Sequence, residues 1–259
     1  MSPLSRTQSL KSIRQATCGA APLDKEQQAR FKDLLAEDAQ VTQVWGMTET
    51  TCITTMFRWP EDDVSGSVGM LVPHMEAKLV DDDGNNISAY DTRGEICIRG
   101  PCVIPGYFEN GVANSASFLP GGWFKTGDVA FCDGRTLKWY IVDRKKELIK
   151  VRGFQVAPIE LESVLLSHPG IDDAAVIGVH ILREDGELPR AYIVRRPGIG
   201  DTLTAEDIRV YMSQKLANYK RLNGGVRFVE SIPKNATGKI LKRVLKEEAQ
   251  AEIALRHRL

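Results

Sequence analysis

The sequence predicts an α+β protein in two parts, a β-rich stretch over residues 1–142 and a smaller α+β unit over 143–259. Three observations predict it. Residues 41–57 are rich in Thr, Val and Ile, which suit a pleated, half-buried surface. The run Glu76–Val80 leads into Asp81-Asp-Asp-Gly84, and Gly94–Gly100 returns, with Gly able to supply the positive φ of a hairpin turn. Beyond Asp143, short apolar runs alternate with helix-like segments.

The elements follow in order. Residues 24–38 predict an amphipathic helix with Phe31, Leu34 and Leu35 on one face. Residues 41–57 predict strand and turn, and 76–100 a hairpin whose Asp81–Asp83 triplet is a solvated turn rather than a metal site. Pro158 opens a helix over Ile159–Ser167, since the first helical N–H needs no partner, and His168-Pro-Gly170 ends it. Ala174–Val179 and Ala191–Val194 predict strands. Thr204-Ala-Glu-Asp207 is a capping-box start to a helix carrying Ile208, Tyr211, Met212 and Leu216 on one face. Val226–Val229 predicts a strand and Ile240–Ala254 a charged terminal helix.

Composition narrows the function classes. Lys plus Arg and Asp plus Glu both number 34 in 259 residues, so the net charge is zero and no nucleic-acid partner is expected. Five cysteines with no C-x-x-C pair argue against a disulfide framework or structural zinc and for a reducing, cytoplasmic setting. No apolar run reaches the length of a transmembrane segment. The ending His257-Arg258-Leu259 shares the basic-then-Leu pattern of a peroxisomal address but lacks its small first residue, so it reads as a frayed helix end.

Four segments carry chemistry. Trp45-Gly-Met-Thr-Glu-Thr50 offers an aromatic face beside a glycine, a hydroxyl for a phosphate and a carboxylate for Mg²⁺. Gly121–Asp128 places an acid after a Gly-rich turn, where it can accept from both hydroxyls of a ribose. Asp143–Glu160 concentrates basic groups around Leu148, Ile149 and Val151, a pattern suited to a polyphosphate. Pro233–Ile240 presents Lys239 on a Thr-Gly turn as a mobile point charge. Taken singly, each has a plainer reading: a capped turn, a Gly-Asp turn, a solvated face, a helix-entry loop.

The order and spacing of all four resemble the adenylate-forming superfamily of acyl-CoA synthetases, 4-coumarate–CoA ligases and firefly luciferase, from about residue 13 to residue 248. Cys18-Gly-Ala-Ala-Pro-Leu23, Gly94–Pro101 and Gly106-Tyr107 match as well. The resemblance implies the end of a large N-terminal adenylation domain followed by a small C-terminal lid. It implies activation of a carboxylic acid as acyl-AMP with Mg·ATP, then transfer to coenzyme A. In this numbering it assigns Ala20, Ala21, Pro22 and Trp45 to the adenine side. Thr48 goes to the α-phosphate, Glu49 to Mg²⁺, Asp128 to the ribose hydroxyls, and Arg144 to ribose and phosphate. Lys239 bridges carboxylate and α-phosphate. Asp143–Lys146 forms the hinge, with Lys146 also on the nucleotide side. Lys150 and Gln155 serve thioester formation, and Arg152 and Gly153 the coenzyme A path. Gly19, Gly46, Cys52 and Ile53 line a pocket for an aromatic or medium-chain acid.

The departures concern Cys18, where Ser is expected, Trp45, where Tyr is usual, and the absence before Cys18 of the family's Gly/Ser/Thr-rich loop ending in Pro-Lys-Gly. The expectation is a truncated form with impaired or no activity by itself, completed by a second chain if at all. The alternatives are a non-catalytic fragment or pseudoenzyme, or an adenylation domain that loads a carrier protein.

Overall fold

The computed structural model describes residues 10–19, 23, 25–181, 186–198, 202–236 and 238–256, with backbone only at 255 and 256. The chain divides into two compact units, Met1–Lys145 and Lys146–Leu259.

In the first unit, β1 (Gln15–Cys18) pairs in parallel with β2 (Gln40–Gln43), joined through α1 (Lys25–Lys32). The short strands β3 (Thr55–Met56) and β4 (Met70–Leu71) form an antiparallel pair. Next come β5 (Glu76–Val80), β6 (Asn86–Ile87), β7 (Gly94–Arg99), α2 (Gly111–Ser117), β8 (Phe118–Leu119), β9 (Trp123–Cys132) and β10 (Trp139–Arg144). They build an antiparallel sheet of order β10-β9-β7-β5-β6, with β8 also on β9. Its apolar layer holds Trp45, Val68, Leu79, Ile96, Ile98, Phe124 and Trp139.

Glycine decides one local feature here. Glu95 pairs with Val129 and Cys97 with Lys125, so Thr126, Gly127 and Asp128 all lie opposite Ile96. This bulge has Gly127 at φ 71, a conformation that costs glycine little. The Thr126 hydroxyl donates to the Ile96 carbonyl at 2.7 Å and accepts from the Asp128 N–H at 3.1 Å. The bulge therefore has its own internal supports and a re-aimed Asp128.

The second unit begins with a hairpin of β11 (Ile149–Val151) and β12 (Phe154–Val156). There follow α3 (Pro158–Leu166), β13 (Ile171–Val179), β14 (Leu188–Arg195), α4 (Ala205–Lys215), β15 (Gly225–Phe228) and α5 (Lys242–Arg256). The sheet order is β13-β14-β15, antiparallel then parallel. Both faces are covered, which explains the unbroken apolar run Ala174–Val179. Ala174 and Val176 share a layer with Leu161 and Leu165 of α3 and Ile208 and Met212 of α4. Ala175, Ile177 and Val179 share the opposite layer with Leu245 and Ala249 of α5.

The expected helix over 24–38 is shorter. After Lys32 the chain tightens into i→i−3 bonds, Leu34 N–H to Phe31 O and Leu35 N–H to Lys32 O, and Leu34 is 39% exposed. The inward position goes to Gln28, whose amide donates to Val41 O and Asp63 O at 2.7 Å each. A buried amide so satisfied costs little, and apolar periodicity does not detect it. The Thr204 capping box forms as expected, with the Asp207 N–H on the Thr204 hydroxyl and the Thr204 N–H on the Asp207 carboxylate. The terminal helix is Lys242–Arg256 rather than 240–254. Helix α2, capped by the Asn110 side chain, and the long β9–β10 hairpin were not expected.

Candidate functional site

The segment after β2 folds back on itself. Trp45 N–H donates to Thr55 O at 3.3 Å, and Thr54 and Thr55 N–H both donate to Trp45 O. Between them, Thr48–Thr50 makes one 3₁₀ turn, with Thr51 and Cys52 at φ 56 and 94. Gly46 lies so close to the returning chain that a Cβ would sit 1.7 Å from Cys52 O and 2.9 Å from Ile53 Cα. Gly46, Cys52 and Ile53 are thus brought together, and Gly19 lies against Val44. Ala20, Ala21 and Pro22 lie outside the described residues.

Trp45 is only 8% exposed. Its indole N–H donates to Asp128 Oδ2 at 2.8 Å, joining positions 83 residues apart. Asp128 is 6% exposed, and Arg144, its direct cross-strand partner, brings Nε to 3.6 Å from Oδ1. The two expected ribose-side residues and the expected adenine-side aromatic therefore form one cluster. The tryptophan meets it with its edge.

Thr48 is exposed and Glu49 half-buried. Glu49 Oε1 accepts from the Tyr107 hydroxyl at 2.9 Å, while Tyr107 is clamped through its own N–H and C=O to the Asn114 amide. Burial raises the Tyr107 phenol above its ordinary value and the Glu49 carboxylate raises it further, so Tyr107 stays a donor. Among the described residues no group of three or more His, Cys, Asp or Glu side chains could hold a metal ion. A single carboxylate is still a fitting donor for a Mg²⁺ that arrives on a triphosphate and keeps its waters. The five cysteines are free, and burial pushes the Cys97 thiol up to about 11.

Asp143 is buried at the end of β10, and Lys146 opens the second unit. Between them, Lys145 was not singled out by the sequence. Its N–H donates to Gly127 O at 2.7 Å, and its Nζ lies 3.1 Å from Glu95 and 3.0 Å from Asp82. Partial burial works against its charge, but bonds to Asp82 and Glu95 prevail and raise its pKa.

In the second unit, Lys150 and Gln155 are cross-strand partners. Arg152 and Gly153 form the two-residue turn between them, at φ 46 and 88, as the twist of a tight hairpin demands. All four are exposed, and Phe154 stacks on Tyr219 at 4.4 Å. Lys239 is exposed, and main-chain and side-chain bonds join the residues on either side of it. Asn235 N–H donates to Lys239 O, Lys239 N–H to Asn235 Oδ1, and Leu241 N–H to Pro233 O. Lys234 pairs with Asp173 at 2.6 Å and Lys242 with Glu162 at 2.9 Å, so an ion pair stands at either end of the loop.

Comparison with known proteins supplies the context. The AMP-binding enzyme family model matches residues 2–108, and the AMP-binding enzyme C-terminal domain model matches 160–239. A phenylacetyl-CoA ligase of Aspergillus niger, epaB, is 54% identical over 245 residues, covering 95% of this chain and 45% of its own length. Among solved structures, ATP-bound MatB from Rhodopseudomonas palustris superposes with a TM-score of 0.84 at 30% identity, over 96% of this chain and 48% of MatB. The anthranilate CoA ligase AuaEII in complex with anthranoyl-AMP gives a TM-score of 0.84 at 31% identity, over 96% of this chain and 46% of AuaEII. The chain spans about half the length of the curated relatives it matches.

Proposed function

This chain belongs to the AMP-binding enzyme family, and from that premise we propose that it contributes the ribose-reading sheet and the C-terminal unit of an acid–thiol ligase. That ligase activates a carboxylic acid as acyl-AMP with Mg·ATP and passes the acyl group to coenzyme A. The observation that carries the reading is the Trp45–Asp128–Arg144 cluster, in which a buried carboxylate faces a guanidinium across a bulged strand. An aromatic acid is favoured because epaB is by name a phenylacetyl-CoA ligase and the AuaEII structure holds anthranoyl-AMP. The candidate lining of Gly19, Gly46, Cys52 and Ile53 is compact and largely apolar.

In the first half-reaction a carboxylate oxygen attacks the α-phosphorus and pyrophosphate leaves. Asp128 accepts from the ribose hydroxyls, Arg144 steadies ribose and phosphate, and Thr48 donates to the α-phosphate. Lys239 neutralises the charge that builds between carboxylate and phosphate. Ala20, Ala21, Pro22 and Lys146 complete the nucleotide side. Glu49, with one oxygen held by Tyr107, is the residue for Mg²⁺, which supplies charge neutralisation when bound. In the second half-reaction the thiol sulfur attacks the acyl carbon and AMP leaves. Lys150 and Gln155 then face the adenylate, with Arg152 and Gly153 along the coenzyme A path, after a turn about Asp143–Lys146.

The chain spans about half the length of the relatives it matches, so the assay pairs it with the N-terminal half of one of them. The test is pyrophosphate release with phenylacetate and a panel of aryl and medium-chain acids. Little or no release is expected from the 259 residues alone. Addition of the N-terminal half of a relative should restore acid-dependent release that Lys239→Ala abolishes. Release indifferent to acid or to Lys239 would refute the reading.

A further inference from the structure

Glu49 is half-buried on its 3₁₀ turn, and the fold engages one of its two carboxylate oxygens. Oε1 accepts from the Tyr107 hydroxyl at 2.9 Å. The donor is itself anchored. Asn114 Oδ1 accepts from the Tyr107 N–H at 2.7 Å and Asn114 Nδ2 donates to the Tyr107 C=O at 3.0 Å, as a neighbouring strand would. That amide fills the space beside Gly106, where a Cβ would sit 3.1 Å from Asn114 Oδ1. The Ser117 side chain bonds to the phenol as well, and Phe118 meets the ring edge-on at 6.5 Å. The Glu49 C=O takes the Ile104 N–H at 2.9 Å, so main chain and side chain of the acid are both tied to the same stretch of the first unit.

We propose that Tyr107 is a positioning residue that sets cation specificity: by occupying Glu49 Oε1 it leaves a ligand of one oxygen, which suits Mg²⁺ and disfavours Ca²⁺. The inference rests on the reading that Glu49 holds the metal, and it adds what selects that metal. Mg²⁺ demands near-octahedral geometry, keeps several of its waters and is bound through few carboxylates. Ca²⁺ is larger, takes more oxygens and gains from a carboxylate that offers both. A carboxylate bonded to a phenol through one oxygen cannot offer both without giving up that bond. Tyr107 acts through Glu49, and Asn114 acts through Tyr107.

The experiment titrates Mg²⁺ and Ca²⁺ separately into the full 259-residue chain. The ¹³C resonance of the Glu49 carboxyl, identified by its loss in Glu49→Gln, reports binding at that residue alone. Tyr107→Phe frees Oε1 and should tighten Ca²⁺ about tenfold relative to Mg²⁺, since the number of oxygens offered tunes Ca²⁺ sites over decades. Asn114→Ala, which releases the main chain of the donor, should move the ratio the same way by less, and it carries the test should Tyr107→Phe not fold. Asn110→Ala is the control. It removes the side-chain cap of α2 and leaves the bonds of Tyr107 in place, so the ratio should stay put. Equal tightening of both ions would mean that the phenol only competes for charge, and an unchanged ratio that it only braces the loop; either overturns the proposal. A Glu49 carboxyl that neither ion moves, in wild type or variant, refutes the metal reading of Glu49 and takes the proposal with it. That silent resonance distinguishes the second failure from the first.

Discussion

Replacing Gly46 by Ala tests the turn that brings the pocket residues together. The added Cβ would lie 1.7 Å from Cys52 O, 2.7 Å from Cys52 C and 2.9 Å from Ile53 Cα, and all three are main-chain atoms. No rotamer can move aside. A carbon-to-oxygen contact normally needs about 3.3 Å, so the two chain segments must separate by roughly 1.6 Å. That opening pulls on the bonds of Thr54 and Thr55 N–H to Trp45 O, at 2.9 and 3.0 Å. Overpacking of about 1–3 kcal/mol plus about 1 kcal/mol for each weakened bond gives a loss of about 3–5 kcal/mol. The assay is urea unfolding followed by tryptophan fluorescence. All four tryptophans, Trp45, Trp59, Trp123 and Trp139, precede Lys146, so the signal reads the first unit alone. With a slope of about 1–3 kcal/mol per molar, the midpoint should fall by at least about 1 M. Gly84→Ala is the control: its φ is 88 but nothing lies within 4 Å, so only about 1 kcal/mol of backbone strain is added. A Gly46→Ala midpoint no lower than that of Gly84→Ala would refute the steric argument.

Other outcomes follow from single contacts. Lys145→Met removes the cation between Asp82 and the 5%-exposed Glu95; we expect about 1 kcal/mol of destabilisation after allowance for screening, and a double-mutant cycle with Glu95→Gln should show the coupling shrinking in high salt. His168 is held below its ordinary 6.5 by burial, against the opposing pull of Asp207, and its Nδ1 accepts from the Gly170 N–H at 3.0 Å. The folded state thus binds fewer protons there, so the contribution is present above about pH 6.5 and lost as pH falls through the lower folded value. Amide hydrogen exchange read at the core strands of the second unit should show that decline, and His168→Gln should flatten it. Thr204→Ala removes the hydroxyl half of the capping box, leaving the residue's own N–H on the Asp207 carboxylate, and should cost about 1 kcal/mol, seen as faster amide exchange in the first turn of α4.

The fold was most legible where periodicity and turn chemistry point the same way. The hairpin over 76–100, the strands on either side of residue 185, and the helix opened by Thr204 follow from local rules that tertiary packing reinforces. The β9–β10 hairpin was hidden because Gly121, Gly122 and Gly127 read as loop punctuation. Gly127 in fact sits inside the strand, where the bulge needs its positive φ, and the pairing runs on past it to Cys132. Helix α1 was overextended because its apolar stripe suggested Leu34 as a core residue. The buried position belongs to a glutamine serving carbonyls far along the chain.

The site shows the same division more sharply. Motif order pointed to Asp128, Arg144, Lys150, Gln155 and Lys239, and the sheet register then made Asp128 face Arg144 and Lys150 face Gln155. No spacing rule finds the groups that hold them, because each bond spans the sequence. Trp45 reaches Asp128 across 83 residues, Tyr107 reaches Glu49 across 58, and Lys145 reaches Glu95 across 50. Of these supports, Lys145 looked like one more charge in a basic run and Tyr107 like one more motif match. Their partners identify them: Glu95 is a nearly buried acid, and Glu49 a half-buried one with one oxygen already committed to the phenol. A carboxylate placed like that is costly until it is bonded. Residues that hold acids in place can therefore be found by asking which group each buried carboxylate has enlisted, a question that only the folded chain can answer.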